Sequence, residues 1–257
     1  MSILGAIAGD VIGSRFERFN HKDKAFELFS PDSWFTDDTV LTLALAEALV
    51  KGKEIAATYR DFYHLYPDAG YGGLFRRWAN DPGRGPYNSF GNGSAMRVSA
   101  AAYVHGTRED VLGCARESAA VTHDHPEGIK GAEAIALAVF LARSGLSKEV
   151  LMDEVLAHSG YDLDFTLDKI RPTYRFDVTC QGSVPQALVA FRESVDFEDA
   201  LRNAISIGGD SDTIACMTGA IAAPFYGGVP DHIGQEVRRR LDGRLNNVLE
   251  TFEARYP

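Results

Sequence analysis

Three long, mostly apolar runs constrain this chain more than any other feature: VLTLALAEALV at 40–50, EAIALAVFLA at 133–142 and IACMTGAIAA at 214–223. Each is longer than an ordinary strand and rich in Ala and Leu, the strongest helix formers. A helix that is apolar on most of its faces must be covered by protein on most of its faces, so the three are expected to be central helices. Amphipathic segments surround them in sequence, at Arg108 to Val121, Lys148 to His158, Pro185 to Glu193, Glu198 to Ile207 and His232 to Phe252, and these supply an outer helical layer. Alternating patterns are scarce. Tyr174 to Thr179 is the best strand candidate, and it is short. The expectation is an all-α protein with many helices.

Gly- and Pro-rich stretches at Tyr66 to Gly73, Asp81 to Gly93 and Ala223 to Pro230 interrupt the helices, but none is long or polar enough to be a linker. The whole chain, 1–257, therefore reads as one domain. GAIAGDVIG at 5–13 weakly resembles GAIAAPFYGG at 219–228, and small residues at that density point to close helix packing. With 45% hydrophobic residues the chain can bury a full core, and disorder is excluded. Its 26 Lys plus Arg against 36 Asp plus Glu leave a net charge of −10, which disfavours nucleic acid or an anionic membrane as a general partner. Cys114, Cys180 and Cys216 are an odd, widely spaced set that suits neither a disulfide framework nor a zinc site, and a reducing cytoplasm is the simplest home. Met1 to Phe16 is apolar but carries Asp10 and no early basic run, unlike a secretory leader, and no window is long and apolar enough to span a membrane.

The chemistry concentrates in two acid clusters, each opening an apolar helix. FTDDT at 35–39 precedes the first central run, and GGDSDT at 208–213 precedes the third. One such cluster is explained by helix capping, because Asp, Ser and Thr satisfy free amides and first-turn carboxylates suit the positive helix end. Two clusters at two core helices are not, since adjacent carboxylates facing a packed interior repel unless a cation neutralises them. Four carboxylates and two Thr hydroxyls are hard oxygen donors of the kind Mg²⁺ or Mn²⁺ takes. Glu17 adds a further acid after the first Gly-rich apolar segment. GYGG at 70–73 would expose backbone N–H groups at a helix start, suited to phosphate, and SFGNGSAMR at 89–97 combines flexibility, a hydroxyl and an amide beside an aromatic ring. THDHPEG at 122–128 places two His around an Asp. No nucleophile-elbow pattern is present, and the cysteines lie in apolar runs where thiols are inert.

Taken in order, GAIAGDVIGSRFE, FTDDT, GYGG, SFGNGSAMR, THDHPEG and AISIGGDSDTIACMTGAIAAPFYG resemble the ADP-ribosylglycohydrolase family, which includes dinitrogenase reductase activating glycohydrolase. The resemblance implies a compact all-α orthogonal bundle that binds two divalent cations, Mg²⁺ or Mn²⁺, and hydrolyses the bond between ADP-ribose and an acceptor. By position, Thr36, Asp37 and Asp38 would hold one ion and Asp210 and Thr213 the other, with Asp212 bridging. Gly70, Gly72 and Gly73 would cradle the pyrophosphate, while Asn92, Gly93, Ser94 and His123 would line the ADP-ribose site. Either Phe90 or Tyr226 would stack on adenine. Glu17 or Asp37 would accept or relay the proton of the attacking water, as glycosidic hydrolysis requires. The implied partner is an ADP-ribosylated protein, modified at arginine or serine, or a small ADP-ribose conjugate, met by a monomer. Selectivity would lie in loops such as Phe19 to Asp32 and Pro82 to Ser89.

Two rival readings differ in kind. One is a metal-dependent nucleotide phosphohydrolase built on His123, Asp124 and His125. The other is a non-catalytic member of the family, which the full set of ligand acids disfavours.

Overall fold

A computed structural model describes residues 3–257, and Met1 and Ser2, the start of the segment read against a leader, lie outside the described residues. Among the described residues the chain forms α1 (Leu4–Gly13), α2 (Asp37–Lys51), α3 (Ile55–Leu65), α4 (Gly73–Ala79), α5 (Gly93–Met96), α6 (Ala101–Val104), α7 (Arg108–Ala120), α8 (Pro126–Arg143), α9 (Lys148–Ser159), α10 (Leu167–Ile170), α11 (Cys180–Glu193), α12 (Phe197–Ser206), α13 (Ser211–Phe225), α14 (Asp231–Arg240) and α15 (Gly243–Arg255). A 3₁₀ turn, Ser14–Phe16, follows α1. The three apolar runs fall in α2, α8 and α13, and within the runs most side chains are buried. The amphipathic segments form α7, α9, α11, α12, α14 and α15 around them, and the all-α expectation holds.

Three boundaries differ from the sequence reading. His232 to Phe252 is two helices, because Leu241 is extended and Asp242 accepts from the Leu245 amide at 2.9 Å to cap a new start. The Ala223 to Pro230 stretch stays helical as far as Phe225, with Pro224 tolerated in the last turn of α13. Tyr174 to Thr179 is not a strand. It finds no pairing partner beyond one isolated bridge between Thr179 and Gly91, with the Asn92 amide donating to Val178 O at 2.8 Å and the Cys180 amide to Phe90 O at 2.9 Å.

The glycine-rich echo has a packing cause. A Cβ on Gly5 would stand 2.3 Å from Gly219 O, one on Gly9 2.0 Å from Ala215 O, and one on Gly13 2.6 Å from the Asp212 Cα. The matched positions rise on α1 as they fall on α13, so the two helices run antiparallel with their backbones in contact. This crossing brings the end of α1 to the start of α13 and so places Asp10 and Glu17 beside Asp210 and Asp212. A methyl at Gly9 has only backbone to push against, so Gly9→Ala should cost about 3 kcal/mol and lower Tm by roughly 6–12 °C. Gly113→Ala, in α7 with open space around it, should instead stabilise by about 0.5–1 kcal/mol. Thermal unfolding of the two variants checks the contrast.

Candidate functional site

Asp10 is fully buried on α1 and organises the start of α2. Its Oδ2 accepts from the Thr36 amide at 2.9 Å, the Thr39 amide at 3.1 Å and the Thr39 hydroxyl, and its Oδ1 accepts from the Thr36 hydroxyl at 2.7 Å. With both oxygens engaged, Asp10 holds the TDDT turn in place. Sequence reasoning gave it no such role. The available signal was a lone acid in a helix otherwise apolar on every face, which must be paired inside.

The second acid turn is aimed by Gly208 and Gly209, at φ +69° and +77°, where a Cβ would lie 2.4 Å from Asn20 Oδ1 and 2.5 Å from the Tyr174 ring respectively. Asn20 accepts from the Gly209 amide at 3.1 Å, and Lys22 Nζ donates to Tyr174 O at 2.8 Å and to Ile207 O. The loop that follows Glu17 is thereby clipped to the turn that carries Asp210 and Asp212. On the opposite side, the Asp37 amide donates to Ala69 O at 2.6 Å, tying the GYGG loop to the TDDT turn.

These attachments gather Asp10, Asp37, Asp38, Asp210, Asp212 and Glu17 in one place. One carboxylate oxygen each from Asp10, Asp38 and Asp212 lies within 4.8 Å of the others. Asp38 Oδ2 accepts from Thr213 Oγ1 at 3.2 Å and lies 3.3 Å from Thr36 Oγ1, whose proton goes to the nearer Asp10, and Asp210 Oδ2 accepts from Asn92 Nδ2 at 2.6 Å. Asp38 Oδ1 and Asp212 Oδ1 are buried with no donor at all. Buried acids elsewhere in the chain are compensated: Glu47 pairs with Lys53 at 2.8 Å and Lys51 at 3.2 Å, and Glu133 with Arg116 at 2.6 Å. Among the described residues none of the six clustered acids makes an ion pair.

Uncompensated charge shows in the ionisation equilibria. Asp37 is pushed up to about 8 by desolvation and then by the charges of Asp10 and Asp210. Asp210 is pushed up to about 6 by desolvation, against lowering hydrogen bonds from Asn92 and Asp212. Asp10, Asp38 and Asp212 are all raised, burial being the first cause for each. Two orphaned inward oxygens and a surplus of hard donors fit divalent cations, which would supply the missing positive charge.

The cluster forms the floor of a cleft of about 410 Å³, within the range of small-ligand sites. Glu17 and all six anticipated ligands, Thr36, Asp37, Asp38, Asp210, Asp212 and Thr213, line it, as do Gly70, Gly72, Gly73, Asn92, Gly93 and His123. Gly70 has φ +107° and a Cβ there would stand 3.2 Å from Asp37 Oδ1, whereas Gly72 is open to the cleft. Ser94 is fully buried and does not line the cleft, its hydroxyl donating to Gly128 O at 2.7 Å. Phe90, exposed between Ser89 and Gly91, does not itself line the cleft, and its ring stands 5.3 Å from that of His125.

Tyr226 does not belong to the site. It follows α13, a helix of 15 residues that starts just after Asp210, so it lies roughly 20 Å along the axis from the acids. Its hydroxyl accepts from Lys148 Nζ at 2.7 Å and donates to Ser194 O at 2.8 Å. The exposed aromatic that does line the cleft is Phe176, with Tyr87 deeper in. Sequence reasoning passed over Phe176 because it lies in the segment read as a strand. The His-Asp-His cluster also disperses. His123 faces the cleft, Asp124 accepts from the Asn88 amide at 2.6 Å outside it, and His125 caps α8 through the Glu127 amide at 3.1 Å. A metal centre built on those three is therefore overturned.

Residues 1–256 match the family model described as ADP-ribosylglycohydrolase. The chain belongs to the ADP-ribosylglycohydrolase family. It is 29% identical to mouse (Mus musculus) ADP-ribosylhydrolase ARH3 over 88% of this chain and 82% of that protein. It is 26% identical to ADP-ribosylarginine hydrolase Tri1 of Pseudomonas putida over 88% of this chain and 70% of that one. A solved structure named as an ADP-ribosylglycohydrolase-related protein complex superimposes with a TM-score of 0.73 at 27% identity, covering 99% of this chain and 96% of its own. That solved structure thus shares the fold in which this chain sets its acid cluster at the cleft floor.

Proposed function

We propose that this ADP-ribosylglycohydrolase removes ADP-ribose from a modified arginine or serine side chain, or from a small ADP-ribose conjugate. The observation that carries the reading is the pair of orphaned carboxylate oxygens, Asp38 Oδ1 and Asp212 Oδ1, buried at a cleft that Glu17, Gly70, Gly72, Gly73 and Gly91 to Gly93 also line. Thr36, Asp37, Asp38, Asp210, Asp212 and Thr213 would hold two divalent cations, Mg²⁺ or Mn²⁺. Cations there supply Lewis-acid chemistry, polarising water and ribose hydroxyl oxygens.

The chain's own groups do the rest. The Gly-rich loops give amides to the pyrophosphate, and Asn92, fixed on Asp210, orients the second acid turn. Ser94 would act by holding the loop rather than by touching ligand. Phe90 beside Gly91 and Phe176 in the wall are the rings within reach of adenine. Positive charge growing on the ribose is met by Glu17 and Asp37, and one of them takes the proton of the attacking water. Glu17 also borders a second groove lined by Ser14, Arg15, Phe16, Arg18, Phe19 and His21, within the loop expected to set selectivity. The acceptor would leave on that side, away from ADP-ribose. We place this work in the cytoplasm, in a monomeric single domain spanning 1–257. The three cysteines are free and buried, and no helix among the described residues is long and apolar enough to cross a membrane.

Defined ADP-ribosyl-arginine and ADP-ribosyl-serine peptides, incubated with and without Mg²⁺ or Mn²⁺, test the reading. Free ADP-ribose should appear only with cation. Glu17→Gln should lower turnover by about 10²- to 10⁴-fold with cation affinity retained, whereas Asp37→Asn should lower both. Release of inorganic phosphate instead, or near-normal turnover in Glu17→Gln, would overturn the assignment.

A further inference from the structure

Arg97 is fully buried, yet it makes no ion pair among the described residues. Its guanidinium carbon stands 4.3 Å from the centre of the Tyr59 ring. One Nη donates to Thr122 Oγ1 at 2.7 Å and to Ser118 O at 3.4 Å, and Nε has no acceptor. A cation buried without a counter-ion is costly. Filling that space asks only for an apolar side chain, so the charge calls for an explanation of its own.

Thr122 Oγ1 also lies 2.7 Å from His123 Nδ1. A guanidinium can only donate, so the Thr122 oxygen is accepting on one side and its single proton is free to point at Nδ1. With that proton given to Nδ1 the ring carries its own on Nε2; the alternative, Nδ1–H donating to the same oxygen, would turn the positive end of an N–H toward the Arg97 charge and is disfavoured. Charge reinforces this arrangement: His123 is held well below the ordinary histidine range, first by burial and then by Arg97. Tyr87 stands 5.9 Å away between ring centres, and the charge that bears on the ring among the described residues is Arg97, so no anion there stabilises an imidazolium. Nε2 faces Gly91 and Gly93. A Cβ at either would stand 3.5 and 3.2 Å from it, and the two glycines leave that nitrogen open to the cleft.

We propose that Arg97 and Thr122 are positioning residues that hold His123 neutral with its proton on Nε2, so that the ring donates a hydrogen bond to a phosphate or hydroxyl oxygen of the ligand in the cleft. His123 is on this account a recognition donor, neither a general base nor a metal ligand. The identity of the ligand rests on the ADP-ribose reading above, and the tautomer does not.

Nitrogen NMR of histidine-labelled protein reads the tautomer directly. The wild type should show His123 with a pyrrole-like Nε2 and a pyridine-like Nδ1. Thr122→Val keeps the shape but removes the hydroxyl, and should populate both tautomers, while Thr122→Ser should restore the wild-type pattern. Calorimetry with ADP-ribose should show binding about tenfold weaker in Thr122→Val, with Mn²⁺ affinity unchanged and Thr122→Ser within about twofold of wild type. In turnover assays the loss should fall on KM rather than kcat. A proton on Nδ1 in the wild type, or a Thr122→Val variant matching wild type in both spectrum and affinity, overturns the proposal. Should ADP-ribose fail to bind even the wild type while the spectra behave as expected, the positioning stands and the functional reading falls.

Discussion

Asp212→Asn should abolish ADP-ribose release, by about 10³-fold or more in kcat/KM, and at the same time leave the cation-free protein as stable as before or more so. The two effects come from the same atoms. Asp212 is buried beside Asp210 and Asp38, one of its oxygens has no donor, and its carboxyl is raised by burial and by Asp210, Asp38 and Asp10. Removing one charge from that group relieves repulsion while keeping nearly the same shape and allowing the new amide to donate to Asp210. An ordinary substitution of a buried, bonded polar residue does the opposite and destabilises by about 1–3 kcal/mol. Cation affinity should fall by about 100-fold or more, since loss of even a supporting group around a metal costs 10–100-fold. Calorimetry with Mn²⁺, thermal unfolding in chelator and a turnover assay decide the matter together. A clear loss of stability in chelator would mean that the acids are a bonded structural cluster with no need of a cation.

Both acid turns were legible because each joins carboxylates to helix caps at the start of an apolar run, a pattern that a short stretch of sequence contains whole. Asp10 was not, since its partners Thr36 and Thr39 stand 26 and 29 residues away and only the α1–α2 packing brings them together. Arg97 was hidden in the same way, reaching Thr122 across 25 residues. Tyr226 shows the converse error. It follows a motif closely in sequence, but a helix runs between the two, and helical rise turns nearness along the chain into distance. Phe176 was passed over because its segment was read as a strand, whereas its only pairing among the described residues is with the distant Phe90 to Asn92 stretch, and no local pattern announces that contact. The glycine spacing of α1 and α13 carried more than was drawn from it. Backbone contact at Gly5, Gly9 and Gly13 fixes the register of the crossing, and that register is what sets one acid turn opposite the other.

Stabilisation by Mn²⁺ or Mg²⁺ should depend steeply on pH, and the sign follows from the raised carboxyls. A carboxyl whose folded value exceeds its unfolded value of about 3.9 favours the folded state most at low pH and loses that advantage as pH rises through the folded value. For Asp210 the window closes at about 6 and for Asp37 at about 8. Cation-free protein should therefore weaken steadily from about pH 4 to pH 8 as these groups are forced to ionise beside one another. A cation binds the ionised form and must displace whatever protons remain, so its affinity should rise over the same range. At a free concentration of about 100 times Kd the bound state gains about 2.7 kcal/mol, or roughly 5–10 °C in Tm for a chain of this size. Thermal unfolding with Mn²⁺ against chelator should show a gap of several degrees at pH 8 that nearly closes at pH 5. Titration at pH 6.5 in buffers of different ionisation enthalpy should register proton release on binding. A gap that stays constant from pH 5 to pH 8, with no proton released, would place the cations somewhere other than among Asp37, Asp38, Asp210 and Asp212.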